Sequence, residues 1–81
     1  MDNFTIYTDP DNVLVFKTNI LTVDDKLRVG RILAGHMLVY DWSVDQDDKD
    51  CVLRVVSSEL NYPDIIAIID NCGYHCEELQ D

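Results

Sequence analysis

The fold is decided by residues 13–34, which read VLVFKTNILTVDDKLRVGRILA. The stretch opens with a short apolar run rich in β-branched residues, Val13–Lys17, which predicts a β-strand. Thr22 can then accept a hydrogen bond from the amide of Asp25, and acidic residues at this point suit the positive end of a helix dipole. We therefore expect a strand that leads directly into a helix beginning near Thr22.

The apolar residues of this helix recur at helical spacing and predict which side of it is buried. The expected stripe consists of Val23, Leu27, Gly30 and Ala34, with Ile32 and Leu33 beside it. Glycine lowers helix propensity by about 1 kcal/mol, so Gly30 indicates a close approach to another element. Gly35 or His36 is expected to end the helix.

A hairpin follows the helix. Residues 38–45 alternate between apolar and polar side chains and predict a second strand with one core face and one wet face. The acidic run at 46–50 predicts the hairpin loop, and residues 51–56 predict the third strand. This third strand alternates between two sets of side chains: Cys51, Leu53 and Val55 on one face, and Val52, Arg54 and Val56 on the other.

The remaining residues predict a second helix and a last strand. Asn61 is a good N-cap, and Pro63 is tolerated in the first helical turn. Gly73 suits a left-handed residue after the helix, and 74–79 predicts a strand. The apolar stripe of this helix is formed by Ile65, Ile66, Ile69 and Cys72.

The order strand, helix, strand, strand, helix, strand is typical of the α+β class. It predicts a ferredoxin-like βαββαβ sandwich, with a four-stranded antiparallel sheet of order 4-1-3-2 and two helices on one face. Residues 13–81 form the predicted domain. Residues 1–12 are an N-terminal segment in which Phe4–Thr8 is a possible extra strand, followed by a turn at 9–12.

Composition restricts the partners and the compartment. The 81 residues carry 16 acidic and 6 basic side chains, a formal net charge of −10, which argues against binding nucleic acid or an anionic membrane. No apolar run approaches the roughly 20 residues that span a bilayer, and the acidic N-terminus does not resemble a signal peptide. Three cysteines fit free thiols in a reducing compartment, so we expect a cytoplasmic protein.

The chain resembles the heavy-metal-associated (HMA) domain family, the small modules of copper chaperones and metal-transporting ATPases. The resemblance covers about residues 13–79 and is carried by the order of elements and by three local features. These are the strand leading directly into a helix (13–27), the Trp42-x-Val44 strand, and the ending Cys72-Gly73-Tyr74-x-Cys76. It implies the ferredoxin-like fold. In the family, a Cys-x-x-Cys pair on the loop between the first strand and the first helix holds the metal.

The corresponding stretch of this chain, residues 18–23, reads TNILTV. The best alignment places Ile20 and Val23 at the two cysteine positions, and aliphatic side chains cannot ligate a soft ion such as Cu(I). We therefore expect a degenerate metal site and no cofactor.

A second group of potential ligands lies near the end of the chain. Cys72, His75 and Cys76 form a C-x-x-H-C cluster, and a diverged metal-binding or metal-sensing protein that uses them is the alternative reading. However, Cys72 belongs to a helix stripe, whereas His75 and Cys76 alternate across a strand. Free cysteines are commonly buried as small hydrophobes. We therefore expect core packing for these cysteines and for Cys51.

No enzymatic site is predicted. Neither His36 nor His75 has a persuasive serine or cysteine partner, and no glycine loop suited to phosphate is present. A small regulatory domain binding an anionic or amino-acid ligand is possible for this superfold, although the acidity counts against anions.

The sheet face away from the helices is the predicted interaction surface. If Val13 and Val15 face the helices, an apolar patch remains on the opposite face. Its expected residues are Leu14, Phe16, Val52, Arg54 and Val56. Two covers are possible: the N-terminal Phe4, Ile6 and Tyr7 folded back, or an interface with a second copy or a protein partner. We expect a non-enzymatic interaction or oligomerisation domain.

Overall fold

The computed structural model describes residues 13–79 and places six elements in the predicted order. They are β1 (Val13–Thr18), α1 (Val23–Ala34), β2 (Asp41–Asp45), β3 (Val52–Val56), α2 (Tyr62–Asn71) and β4 (Cys76–Glu78). The sheet has the order β2-β3-β1-β4 with every pairing antiparallel, which is the predicted order read in reverse. The predicted N-terminal strand and turn lie outside the described residues.

Two strands are shorter than predicted because neighbouring turns use their first residues. The second strand begins at Asp41, since the N–H groups of Leu38 and Val39 donate to Nδ1 and O of His36 and hold the chain in a turn. The last strand begins at Cys76, since the N–H of Tyr74 still donates to the carbonyl of Ile69 in α2.

The core lies between the sheet and the two helices. Its fully inaccessible side chains include Phe16 and Leu53 from the sheet, Val29 and Leu33 from α1, and Ile65 and Ile69 from α2. Because both helices contribute to this one cluster, both lie on the same face of the sheet. The predicted stripe of α2 is confirmed for Ile65, Ile66 and Ile69, and the predicted inward side of β3 for Leu53 and Val55. Cys72 is half-buried and Cys51 is buried just before β3, but neither belongs to this cluster.

The prediction for the two faces of β1 was wrong. Leu14 and Phe16 are buried in the core, and they pair in register with Val55 and Leu53 of β3. Both faces of β1 are apolar, so its alternation did not decide which one meets the helices. The larger side chains of Leu14 and Phe16 bury more area there, and they leave Val13 and Val15 on the opposite face.

The predicted stripe of α1 was also partly wrong. The helix buries Val29, Gly30 and Leu33, whereas Val23 and Leu27 are 68% and 59% exposed. The buried side of the helix is therefore rotated away from the one that spacing indicated. The interpretation of Gly30 is confirmed, because a Cβ there would lie 2.5 Å from Cη2 of Trp42.

The helix termini follow their local sequence signals. Thr22 caps α1 and Gly35 follows its last turn, while Asn61 caps α2 and its N–H donates to Asp64 Oδ2 at 3.0 Å. Gly73 ends the turn after α2 with φ of 90°, a conformation that favours glycine. Across residues 13–79, neither helix has the length and apolar character that crossing a bilayer requires.

Candidate functional site

The segment between β1 and α1, residues 19–22, is held by hydrogen bonds from several parts of the fold. We call it the β1–α1 loop. Thr18 precedes it, donating through Oγ1 to the carbonyl of Cys51 at 2.6 Å and accepting from the N–H of Ile20 at 3.2 Å. Asn19 and His75 exchange two bonds, the His75 N–H donating to Asn19 Oδ1 at 2.8 Å. The loop is thus tied to the segments before β3 and β4.

A glutamine from the hairpin holds the other side of the loop. Nε2 of Gln46 donates to the carbonyls of Ile20 and Thr22, at 3.2 Å and 2.7 Å. One side chain therefore binds two backbone carbonyls of the loop, of which that of Thr22 also accepts from the N–H of Lys26 in α1.

Two side chains of this region meet at the start of α1. The N–H of Asp25 donates to Thr22 Oγ1 at 3.0 Å, and the N–H of Thr22 donates to Asp25 Oδ2 at 3.1 Å. This is a capping box, in which each side chain satisfies a backbone donor of the other residue. The bond to Thr22 Oγ1 was predicted from the sequence and is confirmed.

The capping box bears on the two positions that align with the cysteines of the HMA family, Ile20 and Val23. Ile20 is fully buried in the core and Val23 is largely exposed, so the side chains of these two residues diverge. Thr22 and Asp25 have the same i, i+3 spacing, and their side chains converge at a helix N-terminus. In this chain the converging pair is therefore Thr22 and Asp25 rather than Ile20 and Val23.

Asp25 also accepts a hydrogen bond from Tyr74, which lies just before β4. The Tyr74 hydroxyl donates to Asp25 Oδ1 at 2.7 Å and accepts from Nη1 of Arg28 at 3.3 Å. The bond from Tyr74, followed by those from Thr22, lowers the pKa of Asp25 below its ordinary value. The same bond, followed by desolvation, raises the pKa of Tyr74. A tyrosine from the last strand region thus fixes the carboxylate that starts α1.

Replacing Tyr74 with phenylalanine should raise the pKa of Asp25 toward that of a free carboxyl, because the main interaction favouring its charged form is lost. A folded-state pKa below the unfolded value stabilises the protein above the unfolded pKa of about 3.9, and that contribution disappears as the pH falls through the folded value. The acid side of the stability profile should therefore flatten in the variant. Carboxyl ¹³C titration by NMR measures the shift. Tyr40→Phe is the control, since Tyr40 bonds Ser58 instead, and an unmoved Asp25 pKa in Tyr74→Phe would contradict the assignment.

The side chains of the second ligand group, Cys72, His75 and Cys76, lie in different surroundings. Cys76 faces the core, where burial, more than the nearby Asp70 and Glu77, raises the pKa of its thiol to about 12. His75 points outward, with Nε2 2.7 Å from Oε2 of Glu77, a contact that lowers the pKa of Glu77. Cys72 is half-buried at the end of α2. Over residues 13–79, no three Cys, His, Asp or Glu side chains are grouped so that they could hold a metal ion.

The sheet face away from the helices contains part of the predicted patch. Arg54 is paired in register with Val15 on one side and Ser43 on the other, so its exposed side chain lies in the middle of this face. Val56 pairs with Val13, and both are half-buried. Val13 and Val15 lie on this face instead of the predicted Leu14 and Phe16, because Leu14 and Phe16 are buried against the helices. The open face, as we call it, consists of Val13, Val15, Arg54 and Val56. Val52 is also placed on this side by its pairing with Asp45, but it is only 3% exposed and adds no accessible surface there.

The comparison with known proteins gives structural neighbours only. No protein-family model and no curated relative matches the sequence. The copper(I)-loaded first domain of the human copper chaperone for SOD1 superposes with a TM-score of 0.71 at 20% identity, over 82% of this chain and 89% of that chain. The yeast copper transporter domain Ccc2a gives 0.73 at 18% identity, over 86% and 97%. A chain of the Atx1–Cu(I)–Ccc2a complex gives 0.71 at 18% identity, over 85% and 96%.

The chain has the HMA fold. This confirms the resemblance given by the order of elements, and at these identities the likeness shows the fold alone. Several contacts of the β1–α1 loop were not predicted, notably those of Asn19, Gln46 and Tyr74. Each joins residues more than twenty positions apart, and no local pattern in the sequence signals such a pairing. Only the T-x-x-D spacing of the capping box was visible in advance.

Proposed function

We propose that this chain is a non-enzymatic interaction domain on the HMA fold, and that its β1–α1 loop does not hold a metal ion. The observation that carries the proposal is the capping box. Thr22 and Asp25, the pair that converges at the helix start, are bonded to each other's backbone N–H groups at 3.0 Å and 3.1 Å. Both side chains already serve the fold, and neither carries sulfur.

The chemistry of the pair supports the absence of copper. Cu(I) is a soft ion that prefers thiolate and thioether ligands, whereas a hydroxyl and a carboxylate are hard oxygen donors. In a metal site, the ion orders the chain at the start of the helix. Here the capping box orders it, through one charge-assisted hydrogen bond to the Asp25 carboxylate and one neutral hydrogen bond to the Thr22 hydroxyl. The loop is then a structural element of the domain.

The rival function is metal binding through Cys72, His75 and Cys76. Cys76 is 4% exposed, and its raised thiol pKa disfavours the thiolate that a metal needs. His75 already contacts Glu77 on the outer side of the same segment. A site using all three residues would require the end of the chain to rearrange, so we propose structural roles for them.

The partner of the domain is proposed to be a protein, or a second copy of the chain. A net charge of −10 repels nucleic acid and anionic lipid surfaces alike. The open face offers Arg54 among half-buried valines, which suits a contact that is partly apolar and partly charged. Protein recognition therefore fits the surface better than recognition of a polyanion.

A competition titration tests the proposal. The native protein, reduced and free of metal, is titrated with Cu(I) in the presence of a coloured chelator, and we expect the chelator to keep the copper. Thiol alkylation of the same samples should modify half-buried Cys72 first and Cys51 and Cys76 slowly, with rates unchanged by copper. One copper bound per chain, with all three thiols protected, would refute the proposal. Loss of that copper in Cys72→Ser would then establish the rival.

A further inference from the structure

The outer side of β2 combines a strand edge with an apolar helix flank. In the described part of the chain, β2 and β4 are the two outer strands of the sheet, and β2 is paired with β3 alone. Helix α1 lies above it, with Gly30 packed on Trp42. The helical neighbours of Gly30 on this flank are Val23, Leu27 and Ala34, which are all apolar and all exposed. We call this combined surface the β2 edge.

The hydrogen bonding of the sheet determines which backbone groups of β2 point outward. The N–H of Leu79 donates to the carbonyl of Val15, so the odd-numbered residues of β1 bond β4 and the even-numbered residues bond β3. Leu53 and Val55 of β3 therefore use their backbone groups on the even-numbered residues of β1. Trp42 and Val44 lie opposite Val55 and Leu53 in β2, so their N–H and C=O groups point away from β3. The N–H of Trp42 is accordingly met by Asp41 Oδ1, at 2.9 Å, and not by a strand.

A strand added at this edge would need two kinds of side chain. Those placed beside Trp42 and Val44 would face α1, where exposed Leu27 is available for apolar contact. Those placed beside Asp41 and Asp45 would face the other way, next to two exposed carboxylates. The edge therefore suits apolar residues that alternate with basic ones.

We propose that the β2 edge binds an extended segment of a partner protein in which apolar residues alternate with lysine or arginine, and that this segment joins the sheet as an additional strand. The inference rests on the proposed interaction role, and it specifies a surface and a partner chemistry for that role. Strand addition supplies affinity through main-chain hydrogen bonds and specificity through alternate side chains. The net charge of −10 attracts such a segment.

A second copy of the chain fits this edge poorly. If two β2 strands paired antiparallel through Trp42 and Val44, the strands would be centred on Ser43. Asp41 of each copy would then lie opposite Asp45 of the other, and like charges directly opposite one another are destabilising. The same carboxylates that oppose self-pairing favour a basic partner.

Acidic side chains on an edge strand also have a purely protective role, since they discourage edge-to-edge aggregation. That role accounts for Asp41 and Asp45. It does not account for Val23 and Leu27, which are exposed apolar residues on the helix directly above the edge. An added strand would cover both features together.

The test uses synthetic peptides and the ¹⁵N-labelled full chain. The first peptide is Lys-Val-Lys-Leu-Lys-Val-Lys, the second has the same composition with its lysines in one block, and the third has glutamate in place of lysine. We expect only the alternating basic peptide to bind, with amide shifts centred on Trp42 and Val44. Failure of that peptide to bind, equal binding of the block peptide, or shifts confined to the open face would overturn the proposal.

Two charge-reversal variants sharpen the result. Asp41→Lys/Asp45→Lys should weaken binding by about tenfold or more, because two cross-strand attractions become repulsions. Asp70→Lys/Glu78→Lys makes the same change in net charge at exposed positions on α2 and on β4, at the opposite edge of the sheet, and should leave most of the affinity. Equal weakening by both variants would indicate general electrostatics and contradict an edge site. Copper binding by the native chain would instead contradict the proposed function and leave this result unaffected.

Discussion

Replacing Gly30 with alanine should destabilise the protein, although alanine is the better helix former. Propensity alone favours alanine by about 1 kcal/mol. The added Cβ would, however, lie 2.5 Å from Cη2 of Trp42, closer than real contacts allow, so the indole ring or α1 must move. Overpacking of this kind costs about 1–3 kcal/mol. Set against the gain in propensity, it leaves an expected net loss of up to about 2 kcal/mol. For a domain of this size, the thermal midpoint should fall by up to roughly 15 °C.

Two further variants separate the close contact from other effects of alanine. Gly35→Ala is the matched control, since its Cβ would lie 3.4 Å from the nearest atom, the Arg31 carbonyl, and its φ of −84° suits any residue. Its effect should stay within about 0.5 kcal/mol. Trp42→Phe removes the part of the ring that the Cβ would meet, so Gly30→Ala should cost less in that background. Stabilisation by Gly30→Ala in the native background would show that the helix does not approach the strand as described.

Gly30 also illustrates what the sequence made predictable. A glycine inside a helical pattern conflicts with propensity, and that local conflict correctly indicated a close approach. The six elements followed from periodicity and capping signals in the same way, and the sheet order was then predicted from the order of these elements. Local chemistry produces each of these signals, so no knowledge of distant contacts was needed.

The faces of β1 and α1 were less predictable because periodicity gives spacing and not direction. Leu14 and Phe16 alternate with Val13 and Val15, so both faces of β1 are apolar, and spacing alone did not show that the larger pair is the one buried against the helices. In α1 both flanks of the buried side carry apolar residues, and packing of Val29 selected one of them. The contacts around the β1–α1 loop were unpredictable for another reason. They join polar residues that are distant in sequence and become neighbours only through the sheet order.

Introducing cysteines at residues 22 and 25 should create a copper site, whereas cysteines at residues 20 and 23 should not. In Thr22→Cys/Asp25→Cys the two sulfurs would take the places of side chains that already converge at the start of α1. A helix N-terminus lowers thiol pKa values, and soft thiolates select Cu(I). We expect this variant to retain one copper per chain against the chelator that strips the native protein. The loss of the capping box should lower the stability of the variant without copper, and copper binding should restore it.

The matched variant Ile20→Cys/Val23→Cys has the same number of added thiols and the same spacing. Ile20 is fully buried and Val23 is 68% exposed, so one sulfur would enter the core while the other would face solvent. Truncating Ile20 should also destabilise the domain, by about 2–4 kcal/mol. Copper retention by both variants is compared with thermal unfolding of each, so that a failure to fold is recognised. Tight copper binding by the variant with cysteines at residues 20 and 23, and none by the variant with cysteines at 22 and 25, would reverse the assignment. It would show that the side chains converging at this helix start are not those of the capping box.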